Sequence, residues 1–171
     1  MAIPLAPDVV AFLAAARVAR MATVDAGGAP LVLPVCFAVS GGRLFVSLDE
    51  KPKRRDPLDL ERVRNLRANP RVAVVADRWD EDWSRLAWVH LSGTARVALP
   101  GEQPDTHRLA LALLRDKYPP YRRMALETRP LIAIEIERVK TWGPLALPAP
   151  LAPPAPSGRA APGVPPATEP R

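Results

Sequence analysis

The spacing of apolar positions predicts an N-terminal helix followed by strands that tight turns connect. An apolar face at helical spacing runs from Val9 to Ala16. Three apolar segments then follow at residues 19–24, 30–39 and 43–48, and short turns rich in glycine separate them. Turns this short join antiparallel neighbours, so the pattern indicates an antiparallel meander and not a parallel α/β sheet.

The second half of the chain alternates helices with further strands. Asp56-Pro57 is a strong helix start, and the helix is expected to end at Asn69-Pro70. Strands are predicted at residues 72–76, 86–98 and 131–136, with Gly93 marking a β-bulge in the second of them. A helix at residues 103–117 is predicted to face the core with Leu109, Ala112 and Leu113.

Six or seven antiparallel strands in one short chain leave exposed edges unless the sheet closes on itself. The predicted fold class is therefore mainly β (α+β), with six or seven antiparallel strands closed into a barrel and with peripheral helices; the family resemblance described below implies that this barrel is a split β-barrel. Residues 1–147 are expected to form this single domain. Residues 148–171 are rich in proline and alanine and lack periodicity, so we expect a disordered tail.

The composition argues against disulfide bonds, a metal site and a membrane span. The chain carries a formal net charge of +6 and one cysteine, Cys36, which excludes an internal disulfide framework. With only two histidines beside that cysteine, no metal site is expected. No apolar segment reaches the length of a membrane span and no signal peptide is evident, so a cytoplasmic protein without a membrane partner is predicted.

The basic segment Lys51-Pro52-Lys53-Arg54-Arg55 is the clearest candidate for chemistry. Four cations lie within five residues, between a strand and a helix, and Pro52 stiffens the segment. Lysine supplies a point charge and arginine a bidentate fork, which together suit a phosphate. The alternative interpretation is a solvated basic loop.

Several segments in this order resemble the pyridoxamine-phosphate-oxidase-like split barrels. Met21-Ala22-Thr23-Val24, a glycine turn and residues 30–37 are similar to the opening hairpin of that group. The run LDEKPKR and the helix that ends near Asn69 are similar to its cofactor-phosphate loop. Residues 80–86 and 138–143 resemble the branch described as F420-dependent, and the resemblance covers roughly residues 8 to 145.

The resemblance implies a homodimer that binds its cofactor, coenzyme F420, in a groove between protomers. Lys51, Lys53 and Arg54 would hold the coenzyme phosphate. The backbone from Leu33 through Pro34, Val35 and Cys36 to Phe37 would lie along the deazaflavin ring. The implied activity is hydride transfer between the deazaflavin and an organic substrate, and no catalytic acid or base follows from the sequence.

Three alternatives stay open at this point. The same fold could bind FMN as an oxidase or reductase, or it could bind a flavin or haem without catalysis. A nucleic-acid-binding barrel comes last, because acidic residues such as Asp56 and Asp59 are interleaved with the basic ones. Trp79, Trp83 and Trp88 could stack on a planar ligand, or could pack in the core or a dimer interface.

Overall fold

The computed structural model of the chain describes residues 3–48 and 56–146. Seven antiparallel strands form one sheet in the spatial order β2-β1-β5-β6-β7-β4-β3. The strands are β1 Ala19–Val24, β2 Pro30–Val35, β3 Ala38–Ser40, β4 Arg43–Ser47, β5 Arg71–Arg78, β6 Ala87–Ala98 and β7 Leu131–Trp142. The α-helices are α1 Pro7–Ala15, α2 Glu61–Ala68 and α3 Pro104–Lys117.

The two edge strands of this sheet are almost consecutive in the chain. Only Cys36 and Phe37 separate the end of β2 from the start of β3, yet no ladder joins these strands within the described residues. A link this short spans about 11 Å at most, so the sheet must curl until its edges come close. The predicted antiparallel split β-barrel with peripheral helices is confirmed.

Glycine chemistry explains the turn between β3 and β4. Gly41 and Gly42 have φ values of 55° and 75°, the left-handed region that side chains with a Cβ avoid. Positive φ at both central residues matches the twist of a two-residue hairpin. The turn sets Ala38 opposite Phe45, and both side chains are buried.

Two apolar clusters form the core. The larger one fills the inside of the curled sheet with residues from β1, β2, β4, β5, β6 and β7 and is covered by α1 and α2. The smaller one packs α3 and the following 3₁₀ turns against Ala38, Phe45 and Leu131. Within β4, Leu44 and Val46 thus belong to the larger cluster and Phe45 to the smaller one, and one broad sheet surface stays uncovered by any described element.

Several predicted boundaries and faces need correction. The long strand expected over residues 30–39 is two strands, because the chain crosses between sheet edges at Cys36 and Phe37. The helix expected from Pro57 begins as a 3₁₀ turn, Pro57–Asp59, and only Glu61–Ala68 is α-helical. The last strand continues to Trp142, six residues beyond its predicted end at Ile136.

The predicted core face of α3 is wrong at two of its three positions, whereas Leu113 is half-buried and packs against the second core cluster. Leu109 and Ala112 are exposed, whereas the buried residues are His107, Ala110, Leu111 and Leu114. Every position from Leu109 to Leu114 is apolar, so periodicity alone does not select one stripe. Burial against the second core cluster decides which stripe faces inward.

The bulge predicted at Gly93 is confirmed. Pairing between β6 and β7 steps from Ser92 opposite Arg138 to Gly93 opposite Ile136, so Glu137 is the extra residue on β7. The bulge bends the two long strands at the middle of the sheet. Their halves before and after it therefore belong to different parts of the curled surface.

Candidate functional site

Five strands present one continuous face that no described helix covers, and we call it the outer face. Strand side chains alternate, so residues between the buried positions of β1, β2, β5, β6 and β7 point to this side. Ladder register aligns them in rows across the sheet. The outer face comprises Arg20, Ala22, Val32, Ala73, Val75, Asp77, Trp88, His90, Ser92, Arg138, Lys140 and Trp142.

A groove of about 540 Å³ crosses the middle of this face, and we call it the central groove. Its floor consists of small residues, among them Ala22, Ala73, Ser92 and Gly93. Small side chains let a planar ligand approach the sheet backbone closely. The other lining residues are Thr23, Val24, Pro30, Arg71, Val72, Glu137 and Arg138.

Charged residues form one rim of the central groove. Arg71 Nη1 lies 2.9 Å from Glu137 Oε2, and the Thr94 hydroxyl donates to the same carboxylate. The hydrogen bond from Thr94, followed by the charge of Arg71, lowers the pKa of Glu137. Arg138, in contrast, has no ion pair within residues 3–48 and 56–146. Its guanidinium is therefore available to an anionic ligand.

The predicted phosphate ligands Lys51, Lys53 and Arg54 lie outside the described residues. The described residues that flank them are Leu48, fully buried after β4, and Asp56. Asp56 Oδ1 accepts a hydrogen bond of 2.8 Å from the Leu58 amide, so this carboxylate caps the 3₁₀ turn as expected. The segment thus connects the sheet core to a capped turn.

The predicted ring-contact segment divides into two parts. Leu33, Pro34 and Val35 belong to β2, an edge strand, and Pro34 is exposed. Cys36 is half-buried in the link, and the Phe37 side chain is fully buried. Prolines discourage pairing with a further strand, which fits the position of β2 at the edge of the sheet.

Tyr118 fixes the end of that segment, and the sequence interpretation missed it. The Phe37 amide donates to Tyr118 Oη over 3.0 Å, while the tyrosine hydroxyl lies 3.1 Å from the Phe37 carbonyl and 3.0 Å from that of Arg17. Burial raises the pKa of Tyr118, so the hydroxyl keeps its proton. The signal was the motif Tyr118-Pro119-Pro120-Tyr121, which indicated only the end of a helix.

Lys117 lies beside the same segment. Its ammonium Nζ is 3.7 Å from the centre of the Phe37 ring and donates a 2.8 Å hydrogen bond to the Leu13 carbonyl. Burial, followed by the charge of Arg17, lowers the pKa of Lys117 to about 8. This lysine is therefore a partly neutral amine near physiological pH.

The low pKa of Lys117 predicts how stability changes with pH. Between about pH 8 and pH 10 the unfolded chain binds a proton that folded Lys117 has released, so the free energy of unfolding rises with pH. A Lys117→Met variant lacks this gain, and its stability relative to the parent is expected to fall across that window. Urea unfolding measures the difference. Equal slopes for parent and variant would contradict the prediction, and Lys140→Met, at an exposed lysine, is the control.

Two tryptophans project from the loop between β5 and β6. Trp79 and Trp83 are 70% and 74% exposed, which excludes a core role for them. Arg85 Nε lies 3.2 Å from Asp80 Oδ2, and the Asp82 carboxylate accepts from the Ser84 amide over 3.0 Å. The hydrogen bonds from Ser84 lower the pKa of Asp82. Trp88 differs from both, because it is half-buried on the outer face.

Arg78 anchors the base of this loop. Its Nε donates to the Arg85 carbonyl over 2.9 Å, and its two terminal nitrogens donate to the carbonyls of Pro144 and Ala146. The guanidinium also lies over the Phe12 ring, 5.5 Å from its centre. One side chain thus ties together β5, the tryptophan loop, α1 and the segment after β7.

The arrangement can bind a small organic molecule on a sheet face, and it offers no metal cluster. Within the described ranges, no three His, Cys, Asp or Glu side chains gather closely enough to hold a metal ion. In the same part of the chain, no helix has the length and apolar character needed to cross a bilayer. Fold and groove together define a split-barrel protein with an open groove on its uncovered sheet face.

Comparison with known proteins agrees with that class. The family model for pyridoxamine 5′-phosphate oxidase matches residues 5–143. The chain therefore belongs to the pyridoxamine 5′-phosphate oxidase family. None of the curated proteins matches this chain in sequence.

Three solved structures show the same fold at low identity. A conserved hypothetical protein from Mycobacterium tuberculosis is 19% identical with a TM-score of 0.65, over 83% of this chain and 86% of that one. A FAD-binding protein from Mesorhizobium loti is 24% identical with a TM-score of 0.58, over 80% and 94%. HutZ, a haem storage protein from Vibrio cholerae, is 16% identical with a TM-score of 0.59, over 82% and 95%.

Proposed function

We propose that this protein is a coenzyme F420-dependent oxidoreductase that acts on an organic substrate. The observation that carries the proposal is the central groove, whose small-residue floor and cationic rim suit a planar ring with an anionic substituent. Such a coenzyme supplies hydride transfer when bound. The protein's part is to position the ring, bind the phosphate and exclude water.

Each role falls to a particular part of the chain. Lys51, Lys53 and Arg54 bind the phosphate, which matches their charge and spacing. The backbone from Leu33 to Phe37 does not line the central groove, so in this proposal it would border the ring from the edge of the sheet at β2. Tyr118 holds the end of this segment through its bonds to Phe37. Ala22 and Ala73 support close approach because larger side chains there would fill the floor of the groove.

Binding of haem is a second candidate with its own observation. His90 places an imidazole on the outer face, where it is half-buried and pairs in register with Lys140. Neutral imidazole is a common axial ligand of haem iron.

FMN is the closest alternative to F420, because both carry a phosphate and a tricyclic ring that the same groove would accept.

One measurement separates these candidates. The protein is purified from a host that makes F420, FMN and haem, and its absorbance spectrum is recorded before fluorescence titration with F420 and FMN. We expect bound F420 and tighter binding of F420 than of FMN. Co-purified FMN with preferential FMN affinity would leave the groove assignment in place and replace the coenzyme. A haem spectrum alone would refute the oxidoreductase proposal.

The site is proposed to be completed by a second copy of the chain. Val32 and Trp142 expose 57% and 53% of their surface on the outer face, where Ala22, Ala73 and Val75 add further apolar positions. Exposing large apolar side chains to water is unfavourable in free energy, and sheet faces that carry them often form dimer contacts. The cofactor groove would then lie between protomers.

The homodimer is testable by sedimentation at micromolar protein concentration. The parent is expected to sediment as a dimer, and Val32→Glu is expected to shift it to monomer because the change buries a charge in the interface. Val10→Glu is the matched control, since Val10 is an exposed valine on α1 and not on the outer face. A stable parent monomer would contradict the shared-groove proposal.

A further inference from the structure

The outer face carries a second depression beside the central groove. It has a volume of about 330 Å³ and is lined by Val75, Trp88, His90 and Lys140. This volume lies at the lower end of the range for small-molecule sites. The four residues come from β5, β6 and β7 and lie on neighbouring rows of the sheet, and we call the depression the Trp88 pocket.

Ladder register places its charged and aromatic groups on opposite sides. His90 lies opposite Lys140 on one row, with Val75 opposite His90 on β5. The next row pairs Trp88 with Trp142. Rows two residues apart are separated by about 7 Å, close to the length of one aromatic ring system. A planar molecule can therefore contact Trp88 while its end reaches Lys140 and His90.

The cationic end of the pocket has no partner of its own. Within the described residues, the side chains of Lys140 and His90 make no hydrogen bond or ion pair. The acidic residue on this part of the face is Asp77, and Arg20 already forms an ion pair with it. Arg138 adds a further cation one row away. The pocket thus combines an indole surface with unpaired positive charge.

We propose that the Trp88 pocket binds a planar aromatic carboxylate. Trp88 and Val75 contact the ring, and Lys140 with His90 binds the carboxylate through charge-assisted hydrogen bonds. That this ligand is the substrate rests on the proposed function, because the assignment assumes that the coenzyme binds in the central groove beside the pocket. Binding of the carboxylate itself does not depend on that assumption. Ser92 of the groove and His90 of the pocket are two residues apart on β6, about 7 Å along the strand.

A uniform test uses three probes that share size but differ in one property. Calorimetry measures 2-naphthoate, the neutral 2-naphthylmethanol and the non-planar decahydronaphthalene-2-carboxylate with coenzyme-free, full-length protein. We expect 2-naphthoate to bind with a dissociation constant of about 1 mM or tighter. The other two probes are expected to bind at least about tenfold more weakly, because each lacks one of the two recognised features.

Variants assign that binding to the pocket. Lys140→Gln is expected to weaken 2-naphthoate binding roughly tenfold to a hundredfold, and Lys140→Arg to restore most of it. Trp88→Leu is expected to weaken 2-naphthoate about tenfold while the difference between charged and neutral probes persists. Arg96→Gln, an exposed cation beyond the bulge on β6, is the control and leaves binding unchanged.

The outcomes separate this inference from the coenzyme proposal. Equal binding of the charged and neutral probes, undiminished binding by Lys140→Gln, or no binding of 2-naphthoate would overturn it. Folding of each variant is checked by its melting temperature against the parent. If 2-naphthoate binds as described and F420 does not, the Trp88 pocket stands and the proposed coenzyme falls. If F420 binds and 2-naphthoate does not, the proposed coenzyme stands and the proposed ligand of the Trp88 pocket is wrong.

Discussion

Changing Lys53→Ala and Arg54→Ala together is expected to weaken F420 binding by at least roughly a hundredfold. One charge-assisted contact to a phosphate is worth about 1.5–3 kcal/mol when partly shielded from water, which is tenfold to a hundredfold in affinity. The double variant should lose more than either single one, but less than their sum, because both residues address one anion. Fluorescence titration with F420 measures the loss.

The control for this experiment is Arg64→Ala. Arg64 is an exposed cation on α2, in the helix that follows the basic segment, and it removes the same charge without removing a proposed phosphate contact. Its F420 affinity is expected to match the parent. If the double variant binds F420 as tightly as the parent, the phosphate assignment of Lys51, Lys53 and Arg54 is wrong. Far-ultraviolet circular dichroism of each variant excludes misfolding as the cause.

Changing Gly93→Ala is expected to destabilise the fold by roughly 3 kcal/mol or more. A Cβ on Gly93 would lie 1.9 Å from the Glu135 carbonyl oxygen and 3.0 Å from the Glu135 carbonyl carbon. Both atoms are backbone of β7, so relief requires the β6–β7 bulge to move. For a domain of this size such a loss lowers the melting temperature by roughly 10 °C, which thermal unfolding measures.

Gly27→Ala is the matched control for that change. An added Cβ at Gly27 has only the Asp25 carboxylate within contact distance, at 3.4 Å, and no positive φ opposes it. The same substitution there should leave the melting temperature nearly unchanged. If Gly93→Ala melts with the parent, the close contact between β6 and β7 at the bulge is not a rigid feature of the fold.

The elements that were predicted correctly from the sequence depend on short motifs, each only a few residues long. The turn residues before Pro30 and Arg43, the cap at Asp56 and the glycine at position 93 each act through local backbone geometry. Residues far apart in the chain created the features that were missed. Tyr118 lies 81 positions from Phe37 yet bonds both of its backbone groups, and no local pattern encodes that pairing.

The candidate site shows the same division. The sequence indicated a phosphate-binding segment at residues 51–55, because charge and stiffness are properties of consecutive residues. It did not indicate the central groove or the Trp88 pocket. Their residues come from strands that are up to 116 positions apart, such as Ala22 and Arg138. Only the register of the ladders sets these side chains next to one another.

By itself, the sequence determined the class of fold: antiparallel strands, their turns and the bulge. Those features depend on short-range sterics and on hydrophobic periodicity, which a chain carries wherever it folds. Tertiary structure alone decided which stripe of α3 is buried, where the long second strand breaks and which polar residues share the outer face. Each of those outcomes depends on the closure of the sheet. The free energy of closure is summed over the burial of many residues that are distant in the sequence, so no local segment determines it.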